Sequence, residues 1–290
     1  MTLDASDRLA IEHQTVLGLP PVEFVHLAAD LDVRSIAIAL ITGPDNPHGY
    51  EPFSLRDDPA LRRRMLRAVS QSGVSISLGE GFTVRPEHDI RDRAADLDVM
   101  AELGAPRVNT VSMDPDLSRT LDEFATLAEM AAARGLLTTI EFAPSLTIDD
   151  LDSAVAALHH IDRPDVGLLI DTMHLVRAGH TVDDLIAIDP ELIRYAQLSD
   201  HTTSQRGQTY RDDTMDRMPP GEGELPLHEI VAALPPAVTI GIEIPMRSRA
   251  EAGESTEQRV RRCVEGARRL LGEVAGDDRT TNDARTRSEP

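Results

Sequence analysis

Short apolar, β-rich runs alternate with amphipathic stretches along nearly the whole chain. The runs fall at 13–18 (HQTVLG), 34–41 (RSIAIALI), 74–79 (VSISLG), 107–112 (RVNTVS), 137–142 (LTTIEF), 166–171 (VGLLID), 193–198 (IRYAQL) and 238–243 (VTIGIE). Several are continuously apolar, the pattern of parallel strands covered on both faces. The segments between them carry helical periodicity. In 121–134, Leu121, Phe124, Leu127, Ala128 and Ala131 share one face, and Gly135 follows as a stop. Pro20-Pro21 offers a favourable start for the helix after the first run. Helix end, short turn and strand recur in AADLDVRSIAI, MAELGAPRVNTV and MAAARGLLTTIEF. Eight strand–helix repeats predict an α/β fold, a single-domain (β/α)8 TIM barrel over 1–272. The rival doubly wound sheet usually has fewer strands and often a Gly-rich phosphate turn, and LGLPP offers none. The last helix is expected over about 251–272, and the polar stretch 273–290 is expected to be a disordered tail.

Composition narrows the function. At 41% hydrophobic, with no Trp, three Tyr and five Phe, the core must be largely aliphatic. Fifty acidic residues against 29 basic ones leave a formal charge of −21. Such a surface repels phosphate backbones and anionic bilayers, so no nucleic-acid or membrane partner is expected. The lone Cys263 lies in a helical pattern and reads as a buried structural thiol, which excludes a disulfide framework. No signal-like N-terminus and no run of ~20 apolar residues appear, so a soluble, cytoplasmic protein is expected. Homo-oligomerisation is left open.

The chemistry gathers at strand ends, which in such a barrel face the active site. The last four runs end in Glu141 (TTIEFAP), Asp171 (LLIDTMH), Gln197 (YAQLSD) and Glu243 (IGIEIPM). Three carboxylates crowded at one mouth repel each other and lose hydration, and a divalent cation relieves both penalties. Four oxygen donors, the Gln amide among them, suit Mn²⁺ or Mg²⁺, with Co²⁺ or Zn²⁺ as alternatives. His174 lies three residues past Asp171; alone such a pair reads as a surface pair, and beside a metal it is placed to meet a substrate oxygen. A long loop, about 200–226, contains RMPPGEGELPL and reads either as a lid carrying Arg217 to substrate or as a surface excursion.

With these motifs in view, the chain resembles the xylose isomerase-like TIM-barrel superfamily, which includes sugar phosphate isomerases and epimerases and the endonucleases of AP endonuclease family 2. The resemblance covers roughly 10–272 and rests on IEFAP, DTMH, QLSD, PGEGELPL and IEIP. It implies that Glu141, Asp171, Gln197 and Glu243 hold one divalent metal and that Glu141 and Glu243 also act as acid and base. It further implies that His174 and Arg217 contact substrate. Many of the sugar epimerases have His where this chain has Gln197. A Gln there is similar to the 3-dehydroshikimate dehydratase branch. The endonuclease branch needs a His-rich trinuclear zinc site, which the late strands lack. His159 and His160 fall at a helix end and read as surface residues.

The expected reaction is isomerisation or epimerisation of a keto-sugar or sugar phosphate, by proton transfer through a metal-stabilised enediolate. The alternative is a lyase that dehydrates a keto-acid or keto-inositol through the same first step. A non-catalytic sugar-binding barrel is a third reading. The substrate is in each case a small carbohydrate or keto-acid. Three further positions are candidate substrate contacts: Glu80 at the third strand tip, or else a cap; Asn109 in the fourth strand, or else a backbone partner; and Arg247 after the eighth, or else a solvated residue. His48, in GPDNPHGY, reads as an exposed loop residue.

Overall fold

A computed structural model describes the backbone over residues 5–286 and side chains over 7–277. Eight parallel strands close into one barrel in sequence order: β1 (Leu9–Ile11), β2 (Ser35–Ala39), β3 (Ser75–Val84), β4 (Arg107–Ser112), β5 (Leu137–Glu141), β6 (Val166–Asp171), β7 (Ile193–Leu198) and β8 (Ile240–Ile242). The β1–β8 seam aligns Ala10 with Gly241 and completes the closure. Helices follow the strands and cover the outside.

Seven strands lie where the hydrophobic pattern places them, and the first does not. The run 13–18 forms turns, with Leu17 at φ 46° and Gly18 at φ 85°. The strand is instead the shorter LAI just before it. Thr15 explains the difference, because its hydroxyl donates to the Ile242 carbonyl at 2.7 Å and accepts from the Ile244 amide at 2.8 Å. A β-branched residue that looked like strand thus serves as a side-chain brace for β8.

The outer faces of the strands pack against the helices. Ile36, Val108, Ile140, Leu168 and Ile170 meet Phe24, Phe124, Leu127, Leu158 and Val264 in one continuous core. The helix Leu117–Ala132 buries Phe124, Leu127, Ala128 and Ala131, the face its periodicity marks. The barrel interior holds a separate small cluster of Ala37, Leu78, Leu169 and Tyr195. Cys263 is buried, and desolvation pushes its thiol up to about 12, consistent with an inert packing role.

The final helix corrects the expected tail. It runs Thr256–Thr286, past the expected end at 272. Val274 continues the apolar face of Ala267, Leu270 and Leu271 and is buried in the same core, so the chain has reason to stay helical. Residues 287–290 lie outside the described residues.

Candidate metal and acid/base centre

Strand alternation delivers the polar cluster. Side chains two apart share a face, so the inward Leu169 and Tyr195 place Asp171 and Gln197 inward one step nearer the mouth. Glu141 ends β5 paired with Leu169, and Glu243 follows β8 with its amide bonded to the Leu198 carbonyl. One further acid joins them. Glu12 follows β1 and is fully buried, with Oε1 accepting from the Tyr195 hydroxyl at 2.7 Å. Gly241 leaves the space that this carboxylate fills, since a methyl group there would overlap Glu12.

Asp171 is held on both oxygens. Oδ1 accepts from the His174 amide at 2.9 Å, and Oδ2 accepts from Arg217 Nη1 at 2.5 Å. The same Nη1 lies 3.0 Å from Glu243 Oε2 and 3.2 Å from Ser199 Oγ. Glu141 accepts at Oε2 from Asn109 Nδ2 at 2.5 Å, and its Oε1 lies 3.5 Å from His174 Nε2. Asn109 is fixed in turn by Thr139, whose hydroxyl donates to its Oδ1 at 3.0 Å. Gln197 donates from Nε2 to Glu80 Oε1 at 3.3 Å, while its own Oε1 is buried without a protein partner.

Electrostatics make this an unbalanced site. Glu12, Glu80, Glu141, Asp171 and Glu243 interact directly, and among the described residues Arg217 is the guanidinium that contacts them. Burial, then Glu80 and Asp171, raise the Glu141 carboxyl to about 8. Burial, then Glu12, raise Glu80 to about 8 as well. Glu12 is raised by burial and Glu243, and Glu243 is raised by burial against the pull of Arg217. Asp171 goes the other way: burial opposes its charge, but Arg217 and His174 bring it down to about 2. His174 is lowered to about 4 by burial, with Asp171 pulling upward, so its ring is neutral near pH 7.

Part of the expected donor set, joined by His174, has the spacing of a divalent-ion site, and Glu243 stands outside that group beside Arg217. Donor atoms of Glu141, Asp171 and His174 lie within 4.8 Å of one another, and the orphaned Gln197 Oε1 lacks the partner that a cation would supply. Surplus carboxylates beside a single guanidinium call for positive charge. A pH prediction follows for protein kept in chelator. Carboxyls raised from ~4.3 when unfolded to about 8 when folded contribute stability that is full below the lower value and lost as pH rises through the upper one. The melting temperature in chelator is expected to fall as pH rises from ~5 to ~8.5, and saturating Mn²⁺ is expected to remove the fall. A melting temperature independent of pH in chelator would contradict this.

The loop 200–226 folds over the mouth on two buried aspartates. Asp200 Oδ2 accepts from the Gly221 and Gly223 amides, each at 2.9 Å, and Oδ1 accepts from the His201 and Leu225 amides at 2.9 and 3.1 Å. Gly223 permits the approach, because a side chain there would collide with Asp200. Asp213 gathers the Arg206 and Gly207 amides and pairs with Arg177 at 3.0 Å. The short helix Tyr210–Thr214 extends the Tyr210 hydroxyl to 2.6 Å from His174 Nδ1. A cavity of about 270 Å³ is walled by Leu17, Phe24, Ile38, Phe53 and Met215, with Arg211 of this helix on its lining. Asp200→Asn would turn an N–H₂ toward backbone donors. It should cost ~1–3 kcal/mol in urea unfolding and speed proteolysis within 201–224. Unchanged cleavage would show that the turn holds without the carboxylate.

The other candidate residues fall partly inside this cluster and partly outside it. Arg217 is 4% exposed and ion-pairs with Asp171 and Glu243, so the loop carries it into the site and the reading as an exposed surface excursion falls; two adjacent carboxylates demand its charge. Asn109 is likewise buried and orients Glu141, and Glu80 pairs with Gln197. Arg247 stands outside the cluster on the helix Arg247–Glu251, within 3.5 Å of both Asp45 and Asp212. His48 accepts from Arg259 at 3.2 Å and is half-buried rather than free on its loop. His174 does lie in the site. Glu12, Asp200 and Tyr210 were missed. LAIE repeats the apolar-run-then-acid signal of LLID, but three residues are too short a run to stand out. Tyr210 in QTYRDD carries no local signal at all.

An eight-stranded barrel with an acidic, metal-competent mouth defines the class. The chain belongs to the xylose isomerase-like TIM barrel family, whose model matches residues 25–266. Similar solved structures include the IolI protein with a bound zinc atom, at 17% identity and TM-score 0.75 over 92% of this chain and 98% of that one. A xylose isomerase domain protein from Alicyclobacillus acidocaldarius matches at 19% and 0.70, over 92% and 98%. D-psicose 3-epimerase, crystallised in the presence of D-fructose, matches at 15% and 0.66, over 91% and 96%. At these identities the likeness is one of fold. No match is found among curated proteins.

Proposed function

We propose that the protein is a divalent-metal-dependent isomerase or epimerase of a small hydroxy-ketone of the keto-sugar class. The observation that carries this reading is a pair of glutamates, Glu141 and Glu243, on β5 and after β8. Both are raised by burial and held by different partners beside one donor cluster. A carboxyl raised toward neutrality can hold a proton for part of a cycle and release it for the rest, as proton shuttling requires. One glutamate removes the proton next to the carbonyl, and the other returns one to the same or the neighbouring carbon. Neutral His174, fixed by Asp171 and Tyr210, presents its ring to a substrate hydroxyl. Glu141, Asp171, Gln197 and Glu243, with His174 adjacent, would hold the metal, whose chemistry is to polarise the carbonyl and stabilise developing negative charge. The zinc in IolI and the epimerase among the structural neighbours support this reading.

Small-molecule chemistry is favoured over nucleic-acid cleavage by the charge of −21. No helix among the described residues is long and apolar enough to cross a membrane. A second reading, dehydration of a keto-acid, is favoured by one feature, the amide Gln197 in the strand-seven position. Incubation of Mn²⁺-loaded protein with ketoses and keto-acids in D₂O separates the two. Deuterium in a product of unchanged formula supports isomerisation, and a product lighter by one water supports the lyase. Absence of exchange and of turnover across both panels would refute both readings.

A further inference from the structure

The third strand carries an irregularity beside the site. Gly79 pairs with Val108 and Phe82 with Thr110, so Glu80 and Gly81 together stand opposite the single residue Asn109. Two residues against one is a bulge, which commonly re-aims a side chain next to an active site. Gly81 provides the φ of +96° that it requires. The effect on facing is visible on either side: Leu78 belongs to the interior cluster and Phe82 to the outer core, although four residues apart on a regular strand would share a face. Glu80 therefore keeps the inward face of Leu78, at the depth of Gln197.

The contact made there is directional. Glu80 Oε1 accepts from Gln197 Nε2, and the opposite end of the amide, Oε1, is buried with no partner. A carboxamide has one donating and one accepting end and no intrinsic preference between two flips. Turning it over would set its oxygen against Glu80, which as an ionised carboxylate can only accept. We infer that Glu80 is a positioning residue, which holds the Gln197 carboxamide with its oxygen free to ligate the metal. The inference rests on the metal reading above. It also gives the bulge a purpose: an amide ligand needs an acceptor behind it, and the bulge brings one into place.

The test is Mn²⁺ binding to the full chain, measured by calorimetry and by the electron paramagnetic resonance spectrum of the bound ion, for wild type, Glu80→Gln, Gln197→Ala and the double variant. Glu80→Gln is nearly isosteric and can pair with either end of the amide. Loss of such a supporting partner is expected to weaken Mn²⁺ binding by about 10–100-fold, with the metal-free melting temperature retained or raised, since the variant removes a buried carboxyl whose ionisation costs stability. In the Gln197→Ala background, Glu80→Gln should add no further loss, because the residue it positions is gone. Equal losses in both backgrounds would show that Glu80 acts only as a distant charge, and unchanged affinity would show that it does nothing for the ligand. Either result overturns the inference. A wild-type protein that takes up no Mn²⁺ overturns the metal reading itself.

Discussion

Replacing Glu243 with Gln is expected to lower kcat by roughly 10²–10⁴-fold on the ketose identified by solvent exchange, with the fold intact. Glutamine keeps the shape and the hydrogen-bonding reach of the side chain but cannot take a proton from carbon. Glu141→Gln is expected to behave alike, for Glu141 and Glu243 are both buried, raised and close to Asp171. The two variants need not be equivalent in detail. Glu141 is steadied by a neutral amide, Asn109, and Glu243 by the charged Arg217. Single-turnover deuterium wash-in should therefore separate a variant that cannot abstract the proton from one that cannot return it. Near wild-type turnover in both would remove the glutamates from the chemistry.

Arg217→Met is expected to produce the largest loss of stability. The guanidinium is 4% exposed and touches both Asp171 and Glu243. Removing one partner of a buried ion pair typically costs ~3–5 kcal/mol, because the remaining charges are left uncompensated in a low dielectric. Urea unfolding in chelator should show this loss, and saturating Mn²⁺ should recover part of it by supplying charge to the same carboxylates. The pH dependence has a definite sign. Asp171 is depressed to about 2 in the folded chain, so its contribution is present above the unfolded value of ~3.9 and lost as pH falls through both. Arg217→Met should therefore lose its penalty in acid. A cost below ~1 kcal/mol would place the contact with ordinary surface pairs.

The fold was legible because parallel barrels write themselves locally. Continuous apolar runs such as VGLLID and amphipathic stretches such as 121–134 depend only on neighbours in sequence, and β6 and the helix Leu117–Ala132 lie where they indicate. The exception, β1, has three residues and was outcompeted by HQTVLG, whose Thr15 bonds out of register as a brace. Missing that strand also concealed Glu12. The end of the last helix was misplaced because the stretch 273–290 is polar, whereas Val274 finds a place in the core.

The sequence by itself determined that acids and an amide end successive strands, since facing along a strand alternates with the chain and needs no long-range information. Their number and like charge are also what led to the expectation of a cation. Only the tertiary structure decided which partners satisfy them. Arg217 comes from the loop 200–226 to lie between β6 and β8, Tyr210 crosses to His174, and a bulge in β3 carries Glu80 behind Gln197. These contacts join residues 26 to 117 positions apart. Their geometry is fixed by closure of the barrel and by burial, which makes an unpaired charge costly enough to recruit a partner from wherever the fold brings one.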